Sequence, residues 1–87
     1  LEELIAVIRS RKVSSIKDSY TNKLLNDKKL SIEKIKEEVA ELIEAIEKNS
    51  NKIHESADVL YHLMVLLEAN GIKVEDVMNE LKKRQKK

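Results

Sequence analysis

One glycine and no proline in 87 residues leave this chain few means of making tight turns. A β-sandwich or barrel needs such turns at short intervals and draws on aromatic strands. Here Phe and Trp are absent, and Tyr20 and Tyr61 are the only aromatic residues. The strong helix formers Leu, Glu, Lys, Ala and Met make up about half of the chain, so the sequence predicts an all-α fold in one small domain over residues 1–87. Its core is aliphatic, without large rings, and is marginal for a lone chain of this length, so association with a second chain is expected. No run of 18 apolar residues exists to cross a membrane. Leu1 to Ile8, carrying Glu2 and Glu3, do not read as a signal peptide, so a cytoplasmic location is expected. Zero Cys excludes disulfides, thiolate zinc sites and a Cys nucleophile. Seventeen basic against sixteen acidic residues give a net charge of +1, too little to attract nucleic acid or a membrane surface.

Leu1, Leu4, Ile5 and Ile8 recur at helical spacing and predict a first helix over 1–11. Residues 12–29 break the pattern with Ser, Asp, Thr and Asn, which compete for backbone hydrogen bonds. This reads as a connecting segment anchored by Leu24 and Leu25 in a short helical turn, long enough to hint at a function. A second helix is expected over 31–48 with Ser31 as its N-cap, its core stripe formed by Ile32, Ile35, Val39, Leu42, Ile43 and Ile46. Asn49 to Asn51 form a turn. A third helix runs over 52–70 with Gly71 beyond its end. A fourth runs over 74–84 with Val77, Met78 and Leu81 inward, before a basic tail at 85–87.

The third helix is the anomaly. Val59, Leu60, Leu63, Met64, Leu66 and Leu67 cover more than half its circumference, which predicts a largely buried helix. Yet Glu55, Asp58 and His62 share one strip of it. On the second helix Glu38 and Glu41 flank the apolar stripe. In an antiparallel hairpin, Glu41 with Glu55, Glu38 with Asp58, and Lys34 with His62 are each centred on Lys48. The turn is centred one or two residues later, an offset of about 2–3 Å at 1.5 Å per residue. Facing strips bring four carboxylates together, and a cation resolves their repulsion. All-oxygen ligation favours a hard divalent ion, Mg²⁺ first, over zinc.

A plain reading stands beside this one. Acidic pairs at i, i+3 are common on solvated helix faces. His62 also reads as a core-edge histidine with one hydrogen bond, Tyr61 as half-buried packing, and Lys34 as the partner of Glu38 one turn on. The C-terminal lysines read as a solvated helix end, without the aromatic interleaving of a nucleic-acid binder.

The pattern Glu37-Glu38-x-x-Glu41 followed by Glu55-x-x-Asp58 resembles the metal-binding signature of the all-α, MazG-like nucleotide pyrophosphohydrolases. Ser19-Tyr20-Thr21-Asn22-Lys23-Leu24-Leu25 resembles the "SYT-x-x-L" segment of the phosphoribosyl-ATP pyrophosphohydrolase family. Lys34 to Glu38 and Ala57 to Leu67 look like that family's "K-x-G-E-E" and "A-D-L-x-Y-H-x-x-V-L-L" segments. The family's Gly before the paired glutamates is Lys36 here, which strengthens a helix if space allows, or else alters the pocket.

The resemblance implies a MazG-like bundle of about four helices completed by dimerisation, as a homodimer or higher homo-oligomer. It implies hydrolysis of a nucleotide, phosphoribosyl-ATP, to phosphoribosyl-AMP and pyrophosphate, the second step of histidine biosynthesis. Glu38, Glu41, Glu55 and Asp58 would then hold Mg²⁺. Glu37 or Glu41 would orient or deprotonate water. Tyr20, Lys23, Lys34, Tyr61 and His62 would meet substrate. A house-cleaning nucleoside triphosphate pyrophosphohydrolase and a non-enzymatic helical dimerisation module remain as alternatives.

Overall fold

A computed structural model describes residues 2–13 and 20–85, and among them every regular element is a helix. The helices are α1 (Glu2–Val13), α2 (Tyr20–Leu25), α3 (Lys28–Lys48), α4 (Lys52–Ala69) and α5 (Val74–Gln85). The all-α expectation is borne out. Within the predicted connecting segment, the turn around Leu24 and Leu25 is the separate helix α2, and both leucines are buried. Residues 14–19, along with Leu1 and the tail residues Lys86 and Lys87, lie outside the described residues.

Helix α3 starts earlier than the Ser31 cap predicts. Asp27 is the N-cap: its Oδ1 accepts the Leu30 N–H at 3.0 Å, satisfying an otherwise orphaned first-turn donor. Ser31 is instead buried one turn in, and its hydroxyl donates to the Leu24 carbonyl, tying α3 to α2. The far end closes on Asn49 in the left-handed region (φ 54°), where the N–H groups of Asn49 and Ser50 reach back to the Ile46 and Ala45 carbonyls. Asn51, also left-handed, starts α4. Two asparagines thus make the turn that joins α3 and α4 antiparallel. Gly71 (φ 71°) ends α4 as predicted, its N–H bonded to the Glu68 carbonyl and that of Ile72 to Leu67.

The core forms on one side of α4. Leu24 is fully buried and Val65 only 1% exposed; Ile8, Leu25, Met64 and Val74 complete the cluster. Arg9 holds α1 to α5 through two bonds to the Glu75 carboxylate (2.9 and 2.6 Å) and reaches Glu68 on α4 at 3.4 Å. That guanidinium holds the Glu75 carboxyl down to about 2.

Three expectations about burial are corrected. The α3 stripe does not pack in this core: Ile32, Val39, Ile43 and Ile46 are 40–58% exposed. Helix α4 is not buried on all sides, for Leu60 is half-exposed and Ile53 almost bare. On α5, Val74 is the buried residue, Val77 only half-buried, and Met78 and Leu81 are exposed. The cause is shared. Helices α1, α2 and α5 pack on one flank of the α3–α4 hairpin, α2 touching both of its helices, and among the described residues no element covers the other flank. Ile32, Val39, Ile43 and Ile46 are centred about 110° round α3 from Glu38, so that bare flank is not the acidic one.

Candidate active site

The hairpin brings the acidic strips together. One carboxylate oxygen each from Glu38, Glu41 and Glu55 lie within 4.8 Å of one another. Glu55 also belongs to a second such group with Asp58 and His54. Three of the four carboxylates expected to converge meet as one group, and Asp58 is joined to it only through Glu55, which the two groups share. Glu38 and Glu55 are half-buried, and Glu38 Oε2 and Glu55 Oε2 are buried oxygens without a hydrogen-bond partner. The Glu41 carboxyl beside each offers a hydrogen bond only if the pair shares a proton. Burial, then the Glu41 charge, pushes the Glu38 carboxyl above its ordinary value, against an opposing pull from His62. Glu55 is pushed up the same way, by burial and then by Glu41 and Asp58. Orphaned carboxylate oxygens facing further carboxylates, with no ammonium or guanidinium hydrogen-bonded to them among the described residues, are a donor set that a hard divalent cation satisfies. A cleft of about 280 Å³ opens beside Glu41 and Glu55, lined also by Lys48 and Asn51.

Further along α4, His62 is buried and makes two hydrogen bonds, one more than the core-edge reading gives it. Nδ1 lies 2.8 Å from the Asp58 carbonyl, which only accepts, so Nδ1 carries a proton. In the neutral ring Nε2 then accepts from the Tyr20 hydroxyl at 3.0 Å. Tyr20 and Tyr61 both meet the His62 ring edge-on, with centroids 5.9 and 5.1 Å away. The Tyr61 hydroxyl pairs with Thr21 Oγ1. Two hydroxyl contacts thus hold the start of α2 against α4, one turn from the acidic cluster.

Comparison with known proteins bears on all of this chain. The family model described as phosphoribosyl-ATP pyrophosphohydrolase matches residues 1–85. A phosphoribosyl-ATP pyrophosphatase of Clostridium novyi is 46% identical over the whole chain and 82% of its own length. One from Haloarcula marismortui is 41% identical over 98% of the chain and 92% of its own length. The chain belongs to the phosphoribosyl-ATP pyrophosphohydrolase family. It is also 45% identical, over 99% of its length, to the histidine biosynthesis bifunctional protein HisIE of Pyrococcus furiosus, of which it spans 41%.

Not every predicted site residue of this pyrophosphohydrolase-family chain joins the cluster. Glu37 is exposed and pairs with Lys34 at 3.5 Å; Lys34 does not pair with Glu38. The Lys34 ammonium lies in the field of both Glu37 and Tyr20, which raise its pKa. The Tyr20 hydroxyl, shifted up by burial, is pulled back by the Lys34 charge, and it bonds His62. Lys23 is exposed on α2. Lys36, where the family has Gly, is exposed about 160° round α3 from Glu38 and sits within an unbroken helix. Sequence reading passed over His54. Its Nε2 is 3.4 Å from Asp58 Oδ2, and its place four residues before Asp58 is the signal that would have found it.

Proposed function

We propose that the chain hydrolyses phosphoribosyl-ATP to phosphoribosyl-AMP and pyrophosphate in histidine biosynthesis, with Mg²⁺ as cofactor, as a cytoplasmic homodimer. The observation that carries the reading is the meeting of Glu38, Glu41 and Glu55, with Asp58 beside Glu55 and orphaned buried oxygens on Glu38 and Glu55, in a chain of this family. Those four carboxylates would hold the ion. When bound, Mg²⁺ neutralises phosphate charge and makes water a better nucleophile toward phosphorus. Glu41, exposed at the edge of the cluster, accepts the proton of the attacking water; Glu37, turned to Lys34, lies further out. Lys34 stands half-buried beside Tyr20 and supplies a positive charge for the polyphosphate. Tyr20 covers the site from α2, with its hydroxyl fixed by His62, and Lys23 on the same helix meets a further phosphate. Tyr61 holds α2 in place through Thr21.

The dimer rests on the bare flank of the hairpin. Four α3 residues with Ile53 and Leu60 of α4 present aliphatic surface that a second copy covers by the same surface. The test of the activity is to offer phosphoribosyl-ATP and a panel of nucleoside triphosphates with Mg²⁺ and measure pyrophosphate. Release from phosphoribosyl-ATP alone supports the reading. Release from the triphosphates alone overturns it in favour of house-cleaning hydrolysis, and release from none removes the enzyme.

A further inference from the structure

Among the described residues two polar side chains are buried, Ser31 at 2% exposure and His62 at 8%, and both spend a hydrogen bond on α2. His62, on α4, accepts from the Tyr20 hydroxyl at the start of α2. Ser31, on α3, donates its hydroxyl to the Leu24 carbonyl near the end of α2. A helix of six residues is too short to hold itself in water. Its placement is therefore set by what grips it, and each arm of the hairpin grips one end. Asn22 adds a third hold, its Nδ2 donating at 2.8 Å to the Arg11 carbonyl in the last turn of α1.

Ser31 also lies on the strip of α3 that carries the acidic residues, about 20° round the helix from Glu38 and about 10 Å from it along the axis. The bond thus ties α2 to the face of α3 that carries the site. On the plain reading, a buried hydroxyl must find an acceptor and a nearby carbonyl supplies one. That accounts for the bond but not for the hydroxyl. Alanine would fill the position, favour the helix and bury no polar atom. The Leu24 carbonyl is otherwise met by the Asp27 N–H, at a long 3.4 Å. What the hydroxyl adds is a fixed distance between α2 and α3.

We propose that Ser31 is a positioning residue: through the Leu24 carbonyl it sets where α2, and so Tyr20, stands against the hairpin, and thereby the affinity of the site for its substrate. The inference rests on the reading of the acidic cluster and Tyr20 as a hydrolytic site, and adds a residue that touches neither substrate nor ion. Removing the hydroxyl loosens the end of α2 and leaves Lys34 and the carboxylates in place on the hairpin. Contacts that Tyr20 makes to substrate and to transition state weaken together, so KM rises while kcat holds.

The test compares Ser31→Ala with Val74→Ala, a core truncation on α5, whose backbone does not approach α2. Each variant is assayed with phosphoribosyl-ATP and Mg²⁺, its stability is read by urea unfolding, and the His62 Nε2 signal is followed by nitrogen-15 NMR at one pH. Tyr20→Phe marks where that signal falls once the hydroxyl is gone. The expected result in Ser31→Ala is a KM about three- to tenfold higher, as for one lost hydrogen bond, with kcat within twofold and the signal moved toward that of Tyr20→Phe. Val74→Ala loses at least as much stability with KM and signal unchanged. A KM within twofold and an unmoved signal in Ser31→Ala overturn the proposal. So does an equal rise of KM in Val74→Ala, which makes Ser31 one more core residue. Should Ser31→Ala fail to fold, Ser31→Cys, a weak donor of similar size, carries the same test. The NMR signal needs no turnover and keeps the two readings apart. A moved signal in a chain that cleaves no nucleotide leaves the placement of α2 by Ser31 standing and removes the enzyme. Mg²⁺-dependent cleavage with KM and signal unmoved does the reverse.

Discussion

Trimming the bare flank of the hairpin tests the dimer most directly. Ile43 is 53% exposed and Ile46 58%. Fully burying an isoleucine side chain is worth about 1.5–3 kcal/mol, so covering the half that each leaves bare is worth about 1 kcal/mol. A twofold interface uses each residue twice, which makes the pair worth about 4 kcal/mol in all. Alanine keeps part of that area, so Ile43→Ala with Ile46→Ala loses about 3 kcal/mol, or roughly a hundredfold in dimer Kd at 1.4 kcal/mol per decade. The substitutions spare the single-chain core, which contains neither residue, and alanine favours the helix. Sedimentation equilibrium over a concentration series reads the Kd, with far-UV circular dichroism as the control on folding. A chain that is monomeric at every concentration refutes the argument. So does a double variant whose Kd stays within twofold.

Three more outcomes follow from the geometry. Glu38 and Glu55 have carboxyls raised above 4.5, so between that value and their folded-state values the folded chain holds protons that the unfolded chain has released; stability attributable to them is full below pH 4.5 and falls as pH rises. Without metal, the Tm of the chain therefore falls from pH 5 to 8 more steeply than that of a Glu38→Gln, Glu55→Gln variant, and saturating Mg²⁺ raises Tm more at pH 8 than at pH 5; at a hundred times its Kd the ion adds about 2.7 kcal/mol, roughly 10 °C or more for a domain of this size. Parallel pH profiles in chelator count against the cluster. Glu41→Gln and Asp58→Asn each abolish pyrophosphate release at unchanged helix content, and full activity in either sinks the site assignment. Leu24→Ala, at a fully buried core position, costs about 2–5 kcal/mol in urea unfolding, and a loss under 1 kcal/mol would place the core elsewhere.

The helices, and the register of the acidic strips, were legible because they depend on local spacing. Glu38 and Glu41 meet Glu55, with Asp58 beside it, because the α3–α4 hairpin turns over Asn49 to Asn51, which three polar residues announced. What spacing does not carry is which side of an apolar helix the chain itself covers. The strongest stripe in the sequence, on α3, is left bare, while Val65, on the side of α4 away from the predicted face, is nearly sealed. An amphipathic pattern records that a face is buried somewhere, and covering by a second chain leaves the same record as covering by the first. Ser31 misled for a similar reason: a hydroxyl at a helix start serves as a cap or as a bridge, and here the Leu24 carbonyl claims it.

The division of α4 explains how four like charges stand together in so small a chain. Val65 and Met64 fix α4 against α1, α2 and α5 without any help from the carboxylates. The acidic residues lie on another strip, opening to solvent beside Glu41, so their repulsion is partly screened and does not unseat the core. Between the two stand Tyr61 and His62. Each touches α2 through a hydroxyl, and His62 also donates to the backbone of Asp58. The helix that anchors the core with Leu24 and Leu25 is thus the one that presents Tyr20 to the site. Packing of two leucines into the core sets where a phenol stands relative to the acidic cluster, so loss of that packing is felt at the site before the hairpin itself opens.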